Sequence, residues 1–438
     1  MNKQILRLAI PNIVSNLSVP LLGAVDTAVV GRLEHVYYLG AIAVGSIIFD
    51  FIFWGFGFLR MGTTGLVAQA HGADNEGETR IILYRVLLVA LGLSAAILIF
   101  QIPIIKLALQ LVDASPEVEQ YARAYYHIRI FAAPATLALY GINGWFLGMQ
   151  NSTFPMLVTI LLNILNIALN LVFVLGYNMN VSGVALGSLI ASYVAVIFAL
   201  FLYRWRYHAK DAASVNIQQL LDATELRKFF EVNRDIFIRT LCLIFSYAFF
   251  VSKSAEMGDT VLAANTILIQ LWHISAYAVD GFAFAAESLV GKFTGARDIE
   301  NLKKAIKFSL FWGLFFGLIG TLAYGLFGSQ IVRLFTDKVI VLEAISVVFI
   351  WTIAAPLVNS ICFIWDGVFI GATATQAMRN SMLIATLLFF VPVYYVFEQQ
   401  VGIHAVWLAM TTFMVSRGIT LTLFAPKHIY KSSYQAIN

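Results

Sequence analysis

Long apolar stretches, separated by short polar or glycine-containing turns, follow one another along the whole chain. About 20 consecutive apolar residues are enough to cross a bilayer as an α-helix, whereas a transmembrane barrel would show short alternating segments. The pattern therefore predicts an all-α polytopic membrane protein with twelve transmembrane helices. The predicted spans are residues 10–30, 39–70, 81–105, 121–150, 155–176, 182–204, 233–255, 261–291, 305–328, 340–371, 380–398 and 402–424.

The composition excludes several other classes of protein. Of the 438 residues, 60% are hydrophobic and only 12% are charged, which leaves too little polar material to coat a soluble fold. The sequence contains no P-loop, HExxH or GxSxG motif, so we expect neither an enzyme nor a self-contained ATP-driven pump. The net charge of +4 comes without a basic block interleaved with aromatic residues, so no nucleic-acid partner is expected.

The basic residues predict the orientation in the membrane. Most lysines and arginines fall in one alternating set of connections, and the other set holds only Arg32, Lys106, Arg333 and Lys338. By the positive-inside rule, both termini of this multi-pass protein are expected in the cytoplasm, with the lipid bilayer of the plasma (inner) membrane around the spans. One long polar connection, residues 206–232, is predicted to be a cytoplasmic amphipathic linker.

The chain also repeats itself. Residues 39–73 align without a gap to residues 262–296, with Gly72 matching Gly295 at an offset of 295 − 72 = 223. The order Ala-Ala-Pro followed by Gly-x-Phe-x-Gly recurs at almost the same offset, in slightly varied form, further along each half. Because six helices return the chain to the same side of the membrane, both halves should insert in the same orientation. We therefore predict two pseudo-symmetric six-helix lobes, residues 1–205 and 233–438.

Several motifs resemble a known transporter family. They include "IPNIVSNLSVPLLGAVDTAVVGRL", "FLRMGTTGLVAQAHGA", "SAYAVDGFAFAAESLVG" and "WDGVFIGATATQAMRNSM", which occur in order along the chain. Together they resemble the DinF branch of the multidrug and toxic compound extrusion (MATE) family. The resemblance implies a V-shaped pair of lobes and an antiporter that exports organic, cationic or amphipathic compounds. Export would be driven by a proton or sodium gradient, with no cofactor, and a monomer is expected.

The resemblance also implies roles for individual residues of the first half. The first-span aspartate of the family falls on Asp26, and the proline at which that helix bends falls on Pro11. A polar motif of the fifth span falls on Asn166 and Asn170, and a sixth-span hydroxyl falls on Ser188. These residues are the implied proton-coupling site, although an asparagine stands at position 170 where branch members commonly carry an aspartate.

The residues themselves leave alternatives open for this group. An ionised carboxylate is costly in hydrocarbon, so Asp26 is a candidate to bind and release a proton during transport. It could instead cap a helix or form a salt bridge near the interface. Asn166 and Asn170 share a helical face with Asn163, and such amides also hold helices together. Pro11 could produce a static kink rather than a moving one.

The second half carries a second set of ionisable residues within its spans, Arg239, Asp280, Glu287 and Asp366. They could form a substrate site or a second cation site, or the acids could simply pair with Arg239. No metal site is firmly indicated, and a sodium ion held by Asp26, Asn166 and Asn170 is the alternative to proton coupling. The alternative function is a flippase for lipid-linked glycans in the same broad superfamily, which would predict several arginines along the central cavity.

Overall fold

A computed structural model describes residues 1–31, 35–112, 114–207 and 217–431, apart from the side chains of residues 19–22, 24–30, 36, 111, 217 and 431. These residues fold into helices joined by short turns, and no β-strand occurs among them. The α-helices are α1 (Asn2–Val30), α2 (Val36–Gly55), α3 (Phe58–Gly72), α4 (Glu76–Ile99), α5 (Gln101–Leu111), α6 (Pro116–Arg129), α7 (Ala133–Gly148), α8 (Thr153–Asn170), α9 (Asn180–Tyr207), α10 (Ile217–Leu220), α11 (Ala223–Glu256), α12 (Asp259–Gly295), α13 (Ile299–Arg333), α14 (Val339–Gly371), α15 (Thr375–Ile384), α16 (Val391–Val401) and α17 (His404–Ala425).

Eleven helical stretches in the described part of the chain are long and apolar enough to cross a membrane. The first predicted span, residues 10–30, lies on α1, where most side chains beyond residue 18 are outside the described set. The all-α polytopic architecture is therefore confirmed. The eleven stretches are Tyr37–Gly72, Glu76–Ile99, Pro116–Gly148, Thr153–Gly176, Asn180–Tyr207, Gln218–Glu256, Asp259–Gly295, Ile299–Arg333, Val339–Gly371, Thr375–Val401 and His404–Tyr430.

Short irregular segments lengthen some of these spans. A 3-10 turn, Ile130–Ala132, joins α6 to α7. π-Helical segments follow α8 at Leu171–Gly176, α15 at Ala385–Phe390 and α17 at Pro426–Lys431. A π-helical turn carries one extra residue per turn and shifts the side chains that follow it around the helix axis. The segment after α8 begins immediately beyond Asn170, so the polar face of α8 ends where the helix geometry changes.

The linker predicted for residues 206–232 is partly helical. Residues 208–216 lie outside the described set, and α10 is a single turn. From Ala223 onward the chain belongs to α11, which continues without a break to Glu256. Asp222 begins this helix because its Oδ1 accepts from the backbone N–H groups of Thr224 and Glu225, at 2.9 and 3.0 Å. The C-terminal part of the predicted linker is thus continuous with the helix that follows it.

The described residues pack into two compact units. One contains Met1–Ile13, Thr64–Asn75 and Lys228–Asn438, and the other contains Val14–Thr63 and Glu76–Arg227. Two short segments of the first sequence half therefore pack with the second half. The two lobes, residues 1–205 and 233–438, remain a prediction. Segments that are neighbours in the sequence need not pack in the same unit.

The internal repeat is visible in the backbone at the helix ends. Asp74 and Arg297 both have positive φ, 52° and 56°, and their numbers differ by 297 − 74 = 223. Gln150 and Thr373, again 373 − 150 = 223 apart, both have positive φ of 60° and 52°. Non-glycine residues adopt this conformation rarely, mostly where a helix is terminated. Its recurrence at the offset seen in the sequence confirms the repeat.

Close helix crossings repeat at the same offset. A Cβ atom on Gly144 would lie 2.4 Å from the carbonyl oxygen of Arg60, so α7 touches the backbone of α3 there. In the other unit, a Cβ atom on Gly367 would lie 2.2 Å from the carbonyl oxygen of Ala283 on α12. Both residues of each contact are related by 223 positions, as 367 − 144 and 283 − 60 show. Only glycine permits backbones to approach this closely.

Candidate functional site

The polar face of α8 forms a hydrogen-bonded network with α9. Asn166 Nδ2 donates to Ser188 Oγ at 2.8 Å, and Asn170 Nδ2 donates to Asn166 Oδ1 at 2.8 Å. All three side chains are buried, with Asn170 fully so. Buried amides in a membrane helix need such partners because no water is present in the bilayer core to form hydrogen bonds with them. The structure therefore brings together three of the four residues that the resemblance assigned to the proton-coupling site.

Asn163 connects the same face of α8 to α1. Its Nδ2 donates to Ser18 Oγ at 2.9 Å, and Ser18 Oγ in turn donates to the carbonyl oxygen of Ser15 at 2.7 Å. Asp26 lies on the same helix, eight residues or about 12 Å further along its axis. The side chain of Asp26 is outside the described set, so its proton-coupling role stays a prediction. The contact through Asn163 fixes the amide face of α8 against the helix that carries Asp26.

Close packing holds α9 against this network. A Cβ atom on Gly187 would lie 2.2 Å from Asn170 Oδ1, which is well inside van der Waals contact. The next residue is Ser188, the acceptor of Asn166. Glycine at position 187 therefore lets the Asn170 amide sit directly on the backbone of α9. The donors and acceptors of this network are neutral, so it can exchange hydrogen bonds without carrying a charge of its own.

Pro11 lies in the first part of α1, and that part packs on α12. A Cβ atom on Gly281 would meet Ile13 Cγ1 at 2.3 Å and the carbonyl oxygen of Ala9 at 2.9 Å. Pro11 lies between these two contact residues, and Gly281 directly follows Asp280 in the sequence. The structure thus places the proline segment beside the α12 position that carries a candidate acid. The bending role of Pro11 stays a prediction.

A buried ionic cluster joins three helices of the second sequence half. Arg239 on α11 and Arg417 on α17 both donate through Nη2 to Oδ2 of Asp366 on α14, the second at 2.5 Å. The three residues are 8%, 1% and 4% exposed, respectively. An ionised carboxylate at membrane depth is stabilised when a cation pairs with it. Asp366 therefore has two cationic partners, which weakens its case as a ligand for a second cation.

The other two predicted acids lie on α12. Asp280 and Glu287 are seven residues apart, which is about two turns, so they share one face of the helix. Asp280 lies within electrostatic range of Tyr247 and Cys362, close to the ionic cluster. Glu287 is buried, and its carbonyl oxygen lies 2.2 Å from a Cβ atom built on Gly371. Roles for these acids as substrate or cation ligands stay predictions.

The described helices repeat at an offset of 223 residues and carry polar groups within apolar spans. A protein-family model described as MatE matches residues 11–172 and 236–396, which is most of the chain. The chain belongs to the MATE family. Members of this family are transporters rather than enzymes, so the chain is a multi-pass membrane transporter.

Individual relatives agree with this placement. DNA damage-inducible protein F of Escherichia coli (strain K12) is 37% identical over 427 residues, which cover 98% of this chain and 92% of the relative. Multidrug resistance protein NorM of Vibrio cholerae serotype O1 is 24% identical over 317 residues, with 71% and 68% covered. The solved outward-facing conformation of a multidrug resistance MATE family transporter has a TM-score of 0.88 and 20% identity, with 99% and 96% covered. The resemblance to the DinF branch is confirmed, and the solved structure supports the MATE fold.

Sequence reasoning missed one member of the MATE chain's ionic cluster, Arg417. It is the most deeply buried charge of the cluster, and its guanidinium lies over the ring of Phe413 at 5.3 Å. A signal was present, because Arg417 interrupts the apolar run "TTFMVSRGITLTLF" at membrane depth. Ionisable residues in such runs normally mark functional sites or fixed ion pairs. Ser18 and Gly187 were also missed, since a serine or glycine in a membrane helix carries little signal alone.

Proposed function

We propose that this MATE protein is a secondary antiporter that exports organic, cationic or amphipathic compounds across the plasma membrane in exchange for protons. Family membership supports a transporter, and a relative is named a multidrug resistance protein. The proposal includes small-molecule substrates, a monomeric protein with cytoplasmic termini, and a proton gradient as the only energy source. It needs no resident cofactor.

The observation that supports proton coupling best is the hydrogen-bonded face of α8. Asn166, Asn170 and Ser188 form a chain of neutral donors and acceptors, and Asn163 bonds the same face to α1. A carboxyl group changes from acceptor to donor when it takes up a proton. A neighbouring amide chain can follow that change by exchanging donors and acceptors, at no cost in charge. Protonation of Asp26 would in this way alter how α1 packs against α8.

Pro11 gives α1 a place at which such a change could bend the helix. Proline removes one backbone hydrogen bond and its ring opposes the carbonyl four residues earlier, so the helix is weakened there. The two compact units also divide α1 between Ile13 and Val14, two residues beyond Pro11. A helix that belongs to both units and is weakened at their boundary is suited to transmit a conformational change.

Transport in proteoliposomes tests the proposal. Purified wild-type protein and the Asp26→Asn variant are reconstituted, and uptake of a fluorescent organic cation is followed under an imposed pH gradient or an imposed sodium gradient. The matched control is Asp222→Asn, because Asp222 caps α11 through one carboxylate oxygen and an asparagine keeps that acceptor. We expect transport driven by the pH gradient in the wild type and the control, and its loss in Asp26→Asn.

Two results would reject parts of the proposal. Transport that requires sodium and ignores the pH gradient would replace proton coupling by sodium coupling. Unchanged transport by Asp26→Asn would remove Asp26 from the mechanism. The flippase alternative requires cationic side chains along an open transport path, whereas Arg239 and Arg417 are buried in ion pairs with Asp366. For this reason we prefer the antiporter.

A further inference from the structure

The ionic cluster of Arg239, Asp366 and Arg417 has more cationic than anionic groups. Both guanidinium groups donate to the same carboxylate oxygen, Oδ2 of Asp366. The formal charges of the three side chains therefore add to one net positive charge, and all three are more than nine-tenths buried. A charge excess in a low-dielectric interior is unfavourable unless a counter-ion balances it.

The cluster also has more hydrogen-bond donors than its own carboxylate can use. A guanidinium group carries five N–H donors and no acceptor. The Nε atoms of Arg239 and Arg417 are both buried and find no acceptor anywhere in the described residues. Among the described residues, Nη1 of Arg417 donates only to the sulfur of Met414, at 3.1 Å, and a thioether is a weak acceptor. A buried N–H without an acceptor costs about 1–3 kcal/mol, so the cluster favours an added acceptor.

The neighbours of the two guanidinium groups are an aromatic ring, sulfur atoms and one further acid. Phe413 covers one side of the Arg417 guanidinium, and the sulfur atoms of Cys362 and Met414 are in contact at 3.6 Å. Asp280 is the other acidic group that acts on Cys362 and Tyr247. Oδ1 of Asp366 is buried without a donor in the described part of the chain, so the free oxygen of the carboxylate does not serve the guanidinium donors.

We propose that the Arg239–Asp366–Arg417 cluster binds a monovalent anion, either a halide ion or the carboxylate group of an organic compound, on the guanidinium donors that Asp366 leaves unused. A bound anion would accept hydrogen bonds from unused guanidinium N–H groups. Charge-assisted hydrogen bonds of this kind are short and strong. The site is separate from the amide network of α8, and anion binding does not depend on which ion drives export.

Thermal unfolding of the purified protein in detergent tests this proposal without transport. Sodium chloride or sodium acetate is titrated against sodium sulfate at constant ionic strength, and the unfolding midpoint is recorded. We expect a saturable rise with chloride, with acetate, or with both. Chloride alone identifies a halide site, and acetate identifies a site for the carboxylate group of an organic compound. No saturable rise with either anion would overturn the proposal.

Variants decide whether the cluster is responsible. Arg417→Met leaves one arginine paired with Asp366, so the remaining charges balance and the fold should be kept. The dissociation constant should rise by at least about tenfold, the value of one hydrogen bond to a charged group. Arg234→Met on α11 is the control, because the Arg234 side chain is 60% exposed and forms an ion pair with Asp235, outside the cluster. An unchanged dissociation constant in Arg417→Met contradicts the assignment.

A second variant covers the case in which Arg417→Met gives no folded protein. Arg239→Met also leaves a balanced pair, between Arg417 and Asp366, and it removes the less buried of the two guanidinium groups. We expect the same loss of anion affinity. Wild-type affinity in folded Arg239→Met would again contradict the proposal, since both Nε donors are assigned to the anion.

Discussion

The crossing of α3 and α12 gives the sharpest prediction, because one close contact occurs there twice. A Cβ atom on Gly72 would lie 1.9 Å from the carbonyl oxygen of Lys292, and one on Gly295 would lie 1.9 Å from that of Gln69. The two contacts are equivalent in the repeat: Gly72 corresponds to Gly295 and Gln69 to Lys292, since 295 − 72 and 292 − 69 both equal 223. Gly72→Ala and Gly295→Ala should therefore destabilise the protein to a similar extent.

The magnitude follows from the missing space. Real Cβ atoms essentially never come closer than 3.0 Å to such a neighbour, so the helices must separate by 3.0 − 1.9, or 1.1 Å. Forcing extra volume into a packed interface costs about 1–3 kcal/mol. Separation also strains two hydrogen bonds that Gln69 Nε2 donates, to Gly371 O and to Thr373 Oγ1, both at 3.0 Å. Each is worth about 1 kcal/mol, and the loss of one of the two brings the expected total to about 2–4 kcal/mol per variant.

The double variant adds a test of the geometry. Because both clashes are relieved by the same separation of α3 from α12, the second alanine should enter space that the first has already opened. The loss in the double variant should then be clearly smaller than the sum of the single losses. Strict additivity would mean that the two contacts are independent and that the crossing does not move as a unit.

Chemical unfolding in detergent micelles, followed by tryptophan fluorescence, measures these free energies. Gly92→Ala is the matched control, because a Cβ atom on Gly92 meets nothing within 4 Å and the residue lies inside α4. Alanine is the better helix former there by about 1 kcal/mol, so the control should be neutral or slightly stabilised. If Gly72→Ala were as stable as Gly92→Ala, the close crossing would be refuted.

Three further predictions concern the polar groups. Ser188→Ala removes the acceptor of Asn166 and should lower the free energy of unfolding by about 1 kcal/mol, whereas Ser192→Ala, which loses only a bond to a backbone carbonyl, should cost less in the same assay. Asp366→Asn removes the carboxylate that two buried guanidinium groups share and should cost about 3–5 kcal/mol, more than Arg417→Met; equal losses in unfolding experiments would contradict the charge argument. Asp298 begins α13, and hydrogen bonds from the side chain and backbone N–H of Asn301 lower the pKa of its carboxyl below the usual 3.8. Its contribution is therefore present at neutral pH and lost as the pH falls through the lowered pKa, so the stability difference between wild type and Asp298→Ala, about 1 kcal/mol at pH 7, should shrink in acid.

The fold could be predicted from the sequence to the extent that hydropathy and glycine spacing determine it. A run of about 20 apolar residues is long enough to cross the bilayer as a helix, so the spans can be predicted from length and composition. The offset of 223 residues could be found because its matches include glycines such as Gly72 and Gly295, and the structure shows why these glycines are needed. A glycine at a helix crossing is fixed by sterics, and sterics act equally in both halves of a repeated fold.

Packing between distant segments could not be predicted in the same way. Residues 64–75 pack with the second sequence half, and Gln69 reaches Gly371, which lies 302 positions away. Nothing in the periodicity of a single helix specifies such a partner. The ionic cluster could not be predicted for the same reason. Arg239, Asp366 and Arg417 lie on three separate helices, and the sequence of each helix alone does not show that both arginines bind the same carboxylate.

The repeat also shows where the two halves have diverged in chemistry. The counterpart of Asp366 at the offset of 223 is Asn143 on α7, whose Oδ1 is buried without a donor in the described residues. The first half thus holds amides, at positions 143, 163, 166 and 170, where neutral hydrogen bonds can be exchanged. The second half holds a fixed ionic cluster instead. Under the proposed function, a proton taken up by Asp26 would rearrange neutral amides at little cost, whereas breaking a buried ion pair costs several kcal/mol. Coupling to a proton is therefore expected in the first half, and recognition of a charged group in the second.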